Sequence, residues 1–552
     1  MKHNKIILCL MLLGIMAGGC KKYLDINSDP ASPQIPTLAS LFPPITAVMS
    51  RTMILDGRFS GAYTQNLNSV FSLENYDVHG GNAGGSGANQ AWRDFYQLQG
   101  TAINLVVRQG IIEEQWDYVG AATAIRAWGL QNATDYFGEM PYYQAWEPNR
   151  VYFKYETQPV LYRVVDSLCR VALDYLNRSD GKVSQPVMAR GDLVFGGNRD
   201  KWRRFTYGVL ARNWHHQTNK PEYNADSVLS YTSKALQANT DNFLIAHSAT
   251  RNDDTNPWGT ARDNLTTRRQ SRFMVQLLDG FTLTGSTVFA NRDPRLGRML
   301  SLSPDTTTTT ANMPTLNGGY RFIVPFAGYN GGTISTLATT SALYRQAPST
   351  LWGDSLVVNT FVSNFGARQG KYLFQGNGNF PIMTYFEMLF IKAEAAFRKN
   401  DPATAFAAYK DAIAAHIDFV NTNNTTANNV TQISATEKTN YLNGPAVKQS
   451  AALLTLTDIM LQKYIADFGW NFTESWSDMR RYHYFDLDDK TGDQVYKGFT
   501  IPVYAGVNLG PKPAYRFRPT NFSEFDWNLD ELRRIGALNQ DYHTYEMWFS
   551  QP

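Results

Sequence analysis

The strongest pattern in the sequence is a pair of helices joined by a tight turn between residues 384 and 415. Apolar side chains recur three and four positions apart on both sides of Asn400-Asp401-Pro402, which is a typical turn sequence. They are Leu389, Ala393, Ala396 and Phe397 before the turn, and Ala405, Tyr409, Ala412 and Ile413 after it. Alanines let two helices approach closely, so we expect the pair to stack on neighbouring helices. The pattern predicts a mainly α fold.

Helical spacing also dominates from about residue 90 to 240. The spacing of Ala405 and Tyr409, followed by Ala412, resembles the second helix of a tetratricopeptide repeat. No regular period of about 34 residues is found, so any repeats have diverged and carry insertions. We predict tetratricopeptide-like helical pairs at about 90–240 and 380–480, with irregular loop-rich insertions and short β pieces.

The region of about 240–380 has a different composition. Gly, Thr, Asn and Ser are frequent, with five consecutive threonines at 306–310, and Tyr320–Phe326 is a short β-like piece. Gly80–Gly87 is a similar loop-like segment. Long irregular insertions in a compact domain are usually either functional or disordered.

The N-terminus has the features of a bacterial lipoprotein signal. Basic residues precede Ile6–Met16, whose eleven residues are too few to span a hydrocarbon core, since a helix needs roughly twenty. Ala17-Gly18-Gly19-Cys20 resembles a lipobox, with Ala17 where leucine is usual. It predicts that residues 1–19 are removed and that Cys20 is acylated. The alternative is an ordinary secretory signal with a chance cysteine. No later segment is predicted to reach transmembrane length.

The charge and cysteine counts exclude several classes of protein. Lys and Arg total 51 against 48 Asp and Glu, and this net charge of +3 is too small for general electrostatic binding to nucleic acid. Loss of residues 1–19 removes two lysines and leaves 49 − 48 = +1. Three cysteines cannot form a disulfide scaffold, and Cys169, in an amphipathic segment, is predicted to be buried.

The sequence lacks the motifs of common catalytic and metal sites. No phosphate loop, HExxH zinc pair, GxSxG nucleophile elbow or CxxC pair is present. His215 and His216 are adjacent, and neighbours on a helix point apart, so we do not expect them to share a metal. Asp486-x-Asp488-x-Lys490 lacks the ligands of a calcium loop and is interpreted as a solvated acidic turn. We predict no cofactor, no metal and no catalytic residue. A carboxylate pair for glycoside hydrolysis stays open, because sequence spacing does not give spatial separation.

Several motifs together resemble the SusD/RagB family of surface nutrient-binding lipoproteins, and they occur in the family's order. They are Tyr23–Asn27 with Asp29-Pro30, Arg126–Trp128 with Asp135–Tyr142, Gly191-Asp192 with Lys201-Trp202 and Leu210–Arg212, Asp293–Leu296, Tyr385–Ala395, Gln462–Tyr464 with Trp476–Arg481, and Arg518-Pro519 with Glu524 and Asn528. The resemblance covers essentially all of residues 20–552, which it implies are a single SusD-like domain.

This resemblance implies a helical superhelix whose loop-rich region, at about 240–380, faces the ligand. It also implies a SusC-like TonB-dependent outer-membrane transporter as partner, with the lipoprotein anchored in the outer membrane and facing the cell exterior. The motif residues Arg126, Asp135, Trp202 and Arg480 are interpreted as structural and not as ligand contacts.

A neutral oligosaccharide needs flat aromatic faces for its C–H surfaces and polar groups for its hydroxyls. Aromatic residues within or beside loop-rich segments are therefore the candidates, and they are Trp352, Tyr329, Tyr320, Trp258, Tyr76 and Phe71. Trp352 and Tyr329 come first because of their Gly-rich neighbours. For each of them, packing beneath its own loop is the alternative.

The sequence leaves several functions to compare. The first is a non-catalytic lipoprotein that captures a glycan for import, and the second is the same kind of protein with a peptide ligand. A surface glycoside hydrolase would need two convergent carboxylates, one with a raised pKa. The last is a scaffold with no ligand of its own.

Overall fold

The structure, a computed structural model, describes most of the chain beyond residue 35. It describes residues 36–69, 89–259, 262, 264–265, 268–300, 316–317, 320–321, 351–352, 370–424, 431–501, 512–519 and 522–552. Over these ranges the protein is mainly helical with a few short strands. The predicted fold class is confirmed.

Helices form the scaffold. In chain order they are α1 (Leu38–Tyr63), α2 (Gln90–Arg93), α3 (Thr101–Ile112), α4 (Trp116–Phe137), α5 (Gln158–Asn177), α6 (Gln185–Met188), α7 (Arg199–His215), α8 (Ala225–Lys234), α9 (Arg272–Leu278), α10 (Phe281–Thr284), α11 (Leu296–Met299), α12 (Tyr385–Arg398), α13 (Pro402–Asn423), α14 (Ala435–Leu442), α15 (Leu456–Asp467), α16 (Phe472–Arg481), α17 (Phe522–Trp527) and α18 (Leu529–Arg534). A π-helical segment, Asp94–Gly100, joins α2 to α3 without interruption.

The strands are short, and two of the three pairs join segments that are distant in sequence. They are β1 (Leu67–Ser69), β2 (Phe243–Ile245), β3 (Arg268–Gln270), β4 (Leu316–Asn317), β5 (Tyr320–Arg321) and β6 (Phe380–Met383). In the ranges given above they form two-stranded antiparallel ladders, β1 with β3, β2 with β6 and β4 with β5. The strands therefore fasten loops to the helical scaffold and do not build a sheet of their own.

The helical pair predicted at 384–415 is present as α12 and α13. Thr384 begins α12 as its N-cap and accepts a hydrogen bond from the Glu387 N–H at 3.3 Å. Asn400 adopts a positive φ of 63° in the turn. Asp401 then caps α13 by accepting from the Thr404 N–H at 3.1 Å. The alanine-rich face of α13 is buried against its neighbours, and α4 with α5 and α7 with α8 pack as further pairs.

Helix α1 is a scaffold element that is not predicted from the sequence, because the predicted helical pairs begin only at about residue 90. Pro43 and Pro44 lie inside α1 and are unfavourable in an isolated helix, so tertiary packing has to stabilise it. Gly57 and Gly61 let α1 approach α16 closely. A Cβ on Gly61 would lie only 3.0 Å from the ring of Phe472.

Helix α1 also corrects the expectation about transmembrane length. In the part of the chain that the structure describes, it is the one helix long and apolar enough to cross a membrane by length and composition. About half of its most apolar stretch is buried inside the protein, and a core helix of a soluble protein passes the same test.

Two further expectations have opposite outcomes. Cys169 lies on α5 and is fully buried, as predicted. Asp488 is also buried, which contradicts the solvated acidic turn. Its carboxylate accepts hydrogen bonds from the backbone N–H of Thr457, in the first turn of α15, at 2.7 Å and from that of Lys490 at 2.9 Å. It therefore holds the 486–490 turn against the start of α15.

Candidate functional site

Trp258 and Trp352, two of the predicted ligand residues, form the base of the loop-rich region. The Trp352 indole N–H donates to the backbone carbonyl of Trp258 at 2.7 Å, and the Trp258 indole N–H donates to that of Gly469, also at 2.7 Å. The two side chains are only 3% and 0% exposed. Trp258 is thereby tied to the connection between α15 and α16, and Trp352 is tied to Trp258. Neither ring presents a face to solvent, and ligand contact by either stays a prediction.

The other predicted ligand residues are described in part or not at all. Tyr320 lies in β5, where its backbone pairs with Asn317 of β4. Phe71, Tyr76 and Tyr329, together with the predicted lipidation site Cys20, lie outside the described residues.

The β1–β3 ladder brings two distant parts of the sequence to one place on the scaffold. Leu67 pairs with Gln270 and Ser69 with Arg268, so the chain leading to Phe71 starts beside the loop-rich region. The Asn264 side chain also donates to the Pro257 carbonyl at 2.8 Å. The segment that ends at Ser69 therefore lies beside β3 of the loop-rich region.

Asp56 on α1 fixes the start of α2, which follows the Gly80–Gly87 segment in the sequence. Its carboxylate accepts hydrogen bonds from the backbone N–H groups of Gln90 at 3.0 Å and Ala91 at 2.7 Å, at the start of α2. Burial raises the pKa of Asp56 to about 7, and the negative charge of Asp94 adds to this, while the two backbone hydrogen bonds act against it.

We expect the stability of the protein to depend on pH through Asp56. The folded state holds the Asp56 proton up to a pKa of about 7, whereas the unfolded chain releases it near pH 4. The stabilisation is therefore full below about pH 4 and is lost as pH rises towards 7. Urea unfolding at pH 5 and pH 8 should show the wild type losing about 2 kcal/mol relative to Asp56→Asn. If the free energies of unfolding of the two proteins change in parallel between pH 5 and pH 8, this role of Asp56 is contradicted.

A network of buried charges joins the helices. The Arg481 guanidinium on α16 contacts the Glu394 carboxylate on α12 at 2.7 and 2.9 Å, and Asp478 at 2.5 Å. Lys463 on α15 lies 2.7 Å from Asp478. Burial alone would raise the pKa of Glu394, but Arg481 holds it well below its usual value. These charges are satisfied by one another and are not open to a ligand.

The four motif residues interpreted as structural have mainly structural contacts. Arg480 donates to the backbone carbonyls of Asp135 and Tyr515 at 2.6 and 2.8 Å, so it ties α16 to the end of α4 and to the C-terminal segment. The Trp202 indole donates to Asp192 at 2.8 Å. Arg126 donates to the side chain of Asn104 on α3 at 2.5 Å.

A family model described as "Starch-binding associating with outer membrane" matches residues 31–503 of the chain. This protein belongs to the SusD-like family. A search of curated proteins finds no significant match.

Solved structures agree with this SusD-like fold. A chitin-binding protein matches with a TM-score of 0.66 at 17% identity, over 94% of this chain and 100% of its own. A SusD/RagB family protein from Bacteroides thetaiotaomicron matches with a TM-score of 0.64 at 18% identity, over 92% and 98%. A chitin-binding SusD homolog from Flavobacterium johnsoniae matches with a TM-score of 0.62 at 16% identity, over 93% and 98%. At these identities the likeness concerns the fold.

Asp135, His216 and Glu474 form a cluster of metal-ligand type inside the SusD-like scaffold, with one potential ligand atom of each within 4.8 Å of the others. His216 Nε2 lies 2.8 Å from Glu474 and Nδ1 lies 3.3 Å from Asp135. Burial alone would lower the pKa of His216, but the two carboxylates raise it to about 9. A carboxylate therefore lies beside each ring nitrogen of His216, and with the imidazole protonated the three groups form a buried ion triad.

The SusD-like protein also exposes aromatic side chains that the sequence analysis does not select. Four of them are Tyr143, Tyr152, Phe525 and Trp527, each at least 40% exposed. The selection relied on Gly- and Asn-rich neighbours, which these residues lack. The signal available was their own clustering, in Pro141-Tyr142-Tyr143 and in Phe525-Asp526-Trp527.

Proposed function

We propose that this SusD-like protein is a lipid-anchored surface protein that captures an oligosaccharide and delivers it to a SusC-like TonB-dependent transporter. The observation that carries the proposal is the family match over residues 31–503, whose description names starch binding and association with the outer membrane. The lipobox-like sequence ending at Cys20 supports the anchor. Two of the structural neighbours are chitin-binding proteins, which supports a glycan ligand.

A binding role is favoured over hydrolysis by the way the carboxylates are used. Asp56 combines burial with a raised pKa, as a general acid does, but it is 0% exposed and both of its oxygens accept backbone N–H groups. Glu387 and Glu474 are buried and paired with Arg212. The family description names binding and no reaction.

The direct test is an array of glycans and peptides probed with the soluble chain that starts after Cys20. We expect binding to a neutral oligosaccharide class without release of shorter products. Tyr76→Ala and Tyr329→Ala, compared with wild type, test whether the predicted loop residues contact the glycan. Binding to peptides alone would show that the ligand is a peptide and not a glycan. Turnover of a bound glycan would contradict the non-catalytic proposal.

We expect Cys20→Ser to move the protein from the membrane fraction to the soluble fraction, because acyl chains on Cys20 provide the anchor. Fractionation of cells followed by immunoblotting measures this shift. Cys169→Ser is the matched control, since Cys169 is buried on α5 and should leave membrane association intact. Membrane association that persists in Cys20→Ser would contradict lipidation at this residue.

The transporter partnership is tested separately by affinity purification of the full-length protein from detergent-solubilised outer membranes. We expect a large β-barrel transporter to co-purify and to be identified by mass spectrometry. Purification of the SusD-like protein without any such barrel would contradict delivery to a transporter.

A further inference from the structure

Two segments far apart in sequence are held together by buried polar contacts. The Phe153 N–H donates to Asn528 Oδ1 at 2.8 Å, and the Tyr155 N–H donates to Glu531 at 3.0 Å. The Glu524 carboxylate accepts from the Asn528 amide at 2.8 Å and also from the Tyr155 hydroxyl. Tyr155 and Asn528 are each 1% exposed. This junction is therefore firmly built and fixes the backbone of both segments.

Large aromatic side chains flank the junction and remain exposed. They are Tyr143 (65%), Tyr152 (45%), Phe525 (40%) and Trp527 (59%), which we call the aromatic surface. Tyr152 and Trp527 directly precede the hydrogen-bonded residues Phe153 and Asn528. Tyr143 is brought close by its neighbour Gln144, whose side chain accepts from the Lys154 N–H at 3.2 Å. Most large aromatic residues elsewhere in the described chain are buried, so core packing does not explain this group.

The charges around the aromatic surface cancel. Residues 147–154 and 526–534 together contain four acidic and four basic side chains. Arg150 pairs with Glu147 at 2.6 Å, and Arg533 pairs with Asp530 at 2.8 Å. A surface with paired charges gives no attraction to phosphate or to an acidic chain, but it offers donors and acceptors to hydroxyl groups.

We propose that the aromatic surface is a carbohydrate-binding surface for a neutral oligosaccharide, formed by residues other than those predicted from the sequence. The inference rests on the proposed glycan capture and adds a second place of contact to it. Exposed rings accept the C–H faces of sugar units, and the paired polar side chains at the rim accept their hydroxyls. Because the buried contacts of Asn528, Glu524 and Tyr155 already fix the backbone, little ordering cost is left for binding.

The test measures sugar binding to the soluble protein by isothermal titration. The probes are maltohexaose, chitohexaose, xylohexaose and mannohexaose, and the one that binds wild type most tightly is used for the variants. We expect Trp527→Ala and Tyr152→Ala each to weaken its Kd about 5- to 10-fold. Phe485→Ala is the matched control, because the Phe485 side chain is 38% exposed and its ring packs on Tyr484 and Phe499. Circular dichroism and thermal unfolding check that all three variants fold.

The outcomes separate this inference from the proposed function. If Trp527→Ala and Tyr152→Ala both bind the sugar with the Kd of wild type, the proposed role of the aromatic surface is overturned and glycan capture is left in place. Failure of wild type to bind any of the four probes overturns both proposals. Unchanged sugar binding combined with loss of a co-purifying barrel in Trp527→Ala would assign the surface to protein contact and overturn the inference.

Discussion

Replacing Arg481 by methionine should lower the free energy of unfolding by about 3–5 kcal/mol. Arg481 is fully buried and contacts Glu394 and Asp478 through charged hydrogen bonds. Methionine keeps much of the apolar volume but removes the positive charge, so two buried carboxylates lose a partner. Taking a charge out of water is costly unless it is paired, and removal of one partner leaves that cost uncompensated. Urea unfolding followed by circular dichroism measures the change.

The control for Arg481→Met is an ion pair of the same chemistry at the surface. Arg251 pairs with Asp253, and their side chains are 75% and 65% exposed, so Arg251→Met should cost at most about 1 kcal/mol. A double variant, Arg481→Met with Glu394→Gln, should be less destabilised than the sum of the single changes, because the amide does not need the missing charge. Equal losses for Arg481→Met and Arg251→Met would contradict the structural role of the network.

Local pattern was sufficient for the helical scaffold where the helix carries its own signals. The α12–α13 pair has a capping threonine, a turn at Asn400 and a capping Asp401, all of which can be read without knowing the neighbours. Helix α1 is different. Its prolines weaken the local signal, and its stability comes from packing on α16, where Gly61 meets the ring of Phe472. Such a close approach is a tertiary property, so single-sequence reasoning misses it.

The candidate site was less predictable than the fold, for a related reason. Composition marks a loop, but it does not tell whether an aromatic ring lies above or beneath it. Trp258 and Trp352 have the expected loop surroundings and are nevertheless buried, because their indole N–H groups find backbone carbonyls inside. Trp527 has no Gly-rich neighbour and is 59% exposed, because the contacts of Asn528 hold its segment at the surface.

The buried charges show a third limit of the sequence. The motif residue Arg480 could be recognised and assigned to structure, and it donates to backbone carbonyls inside the scaffold. The ion triad at His216 could not be anticipated, since Asp135 and Glu474 reach it from other helices. His215 and His216 point apart, as expected for neighbours at the end of α7: His215 lies 2.8 Å from Glu394, and His216 lies 2.8 Å from Glu474.

Replacing Trp258 by alanine should lower the free energy of unfolding by about 3–5 kcal/mol. The ring is fully buried beside Phe472, and its removal leaves a cavity as well as the Gly469 carbonyl without the indole donor. Trp258→Phe keeps a ring in place and should cost less, about 1–3 kcal/mol, mainly for the lost hydrogen bond. Trp527→Ala, at an exposed position, should change stability by at most about 0.5 kcal/mol.

The Trp258→Phe variant also decides between packing and ligand contact at Trp258. If the ring serves only as the base of the loop-rich region, Trp258→Phe should fold and bind the oligosaccharide with a Kd close to that of wild type. If Trp258→Phe loses no more stability than expected for the missing hydrogen bond but no longer binds the sugar, the indole contacts the ligand and must leave its buried position to do so. Stability and affinity must therefore be measured on the same preparations, because a loss of affinity alone does not separate the two roles.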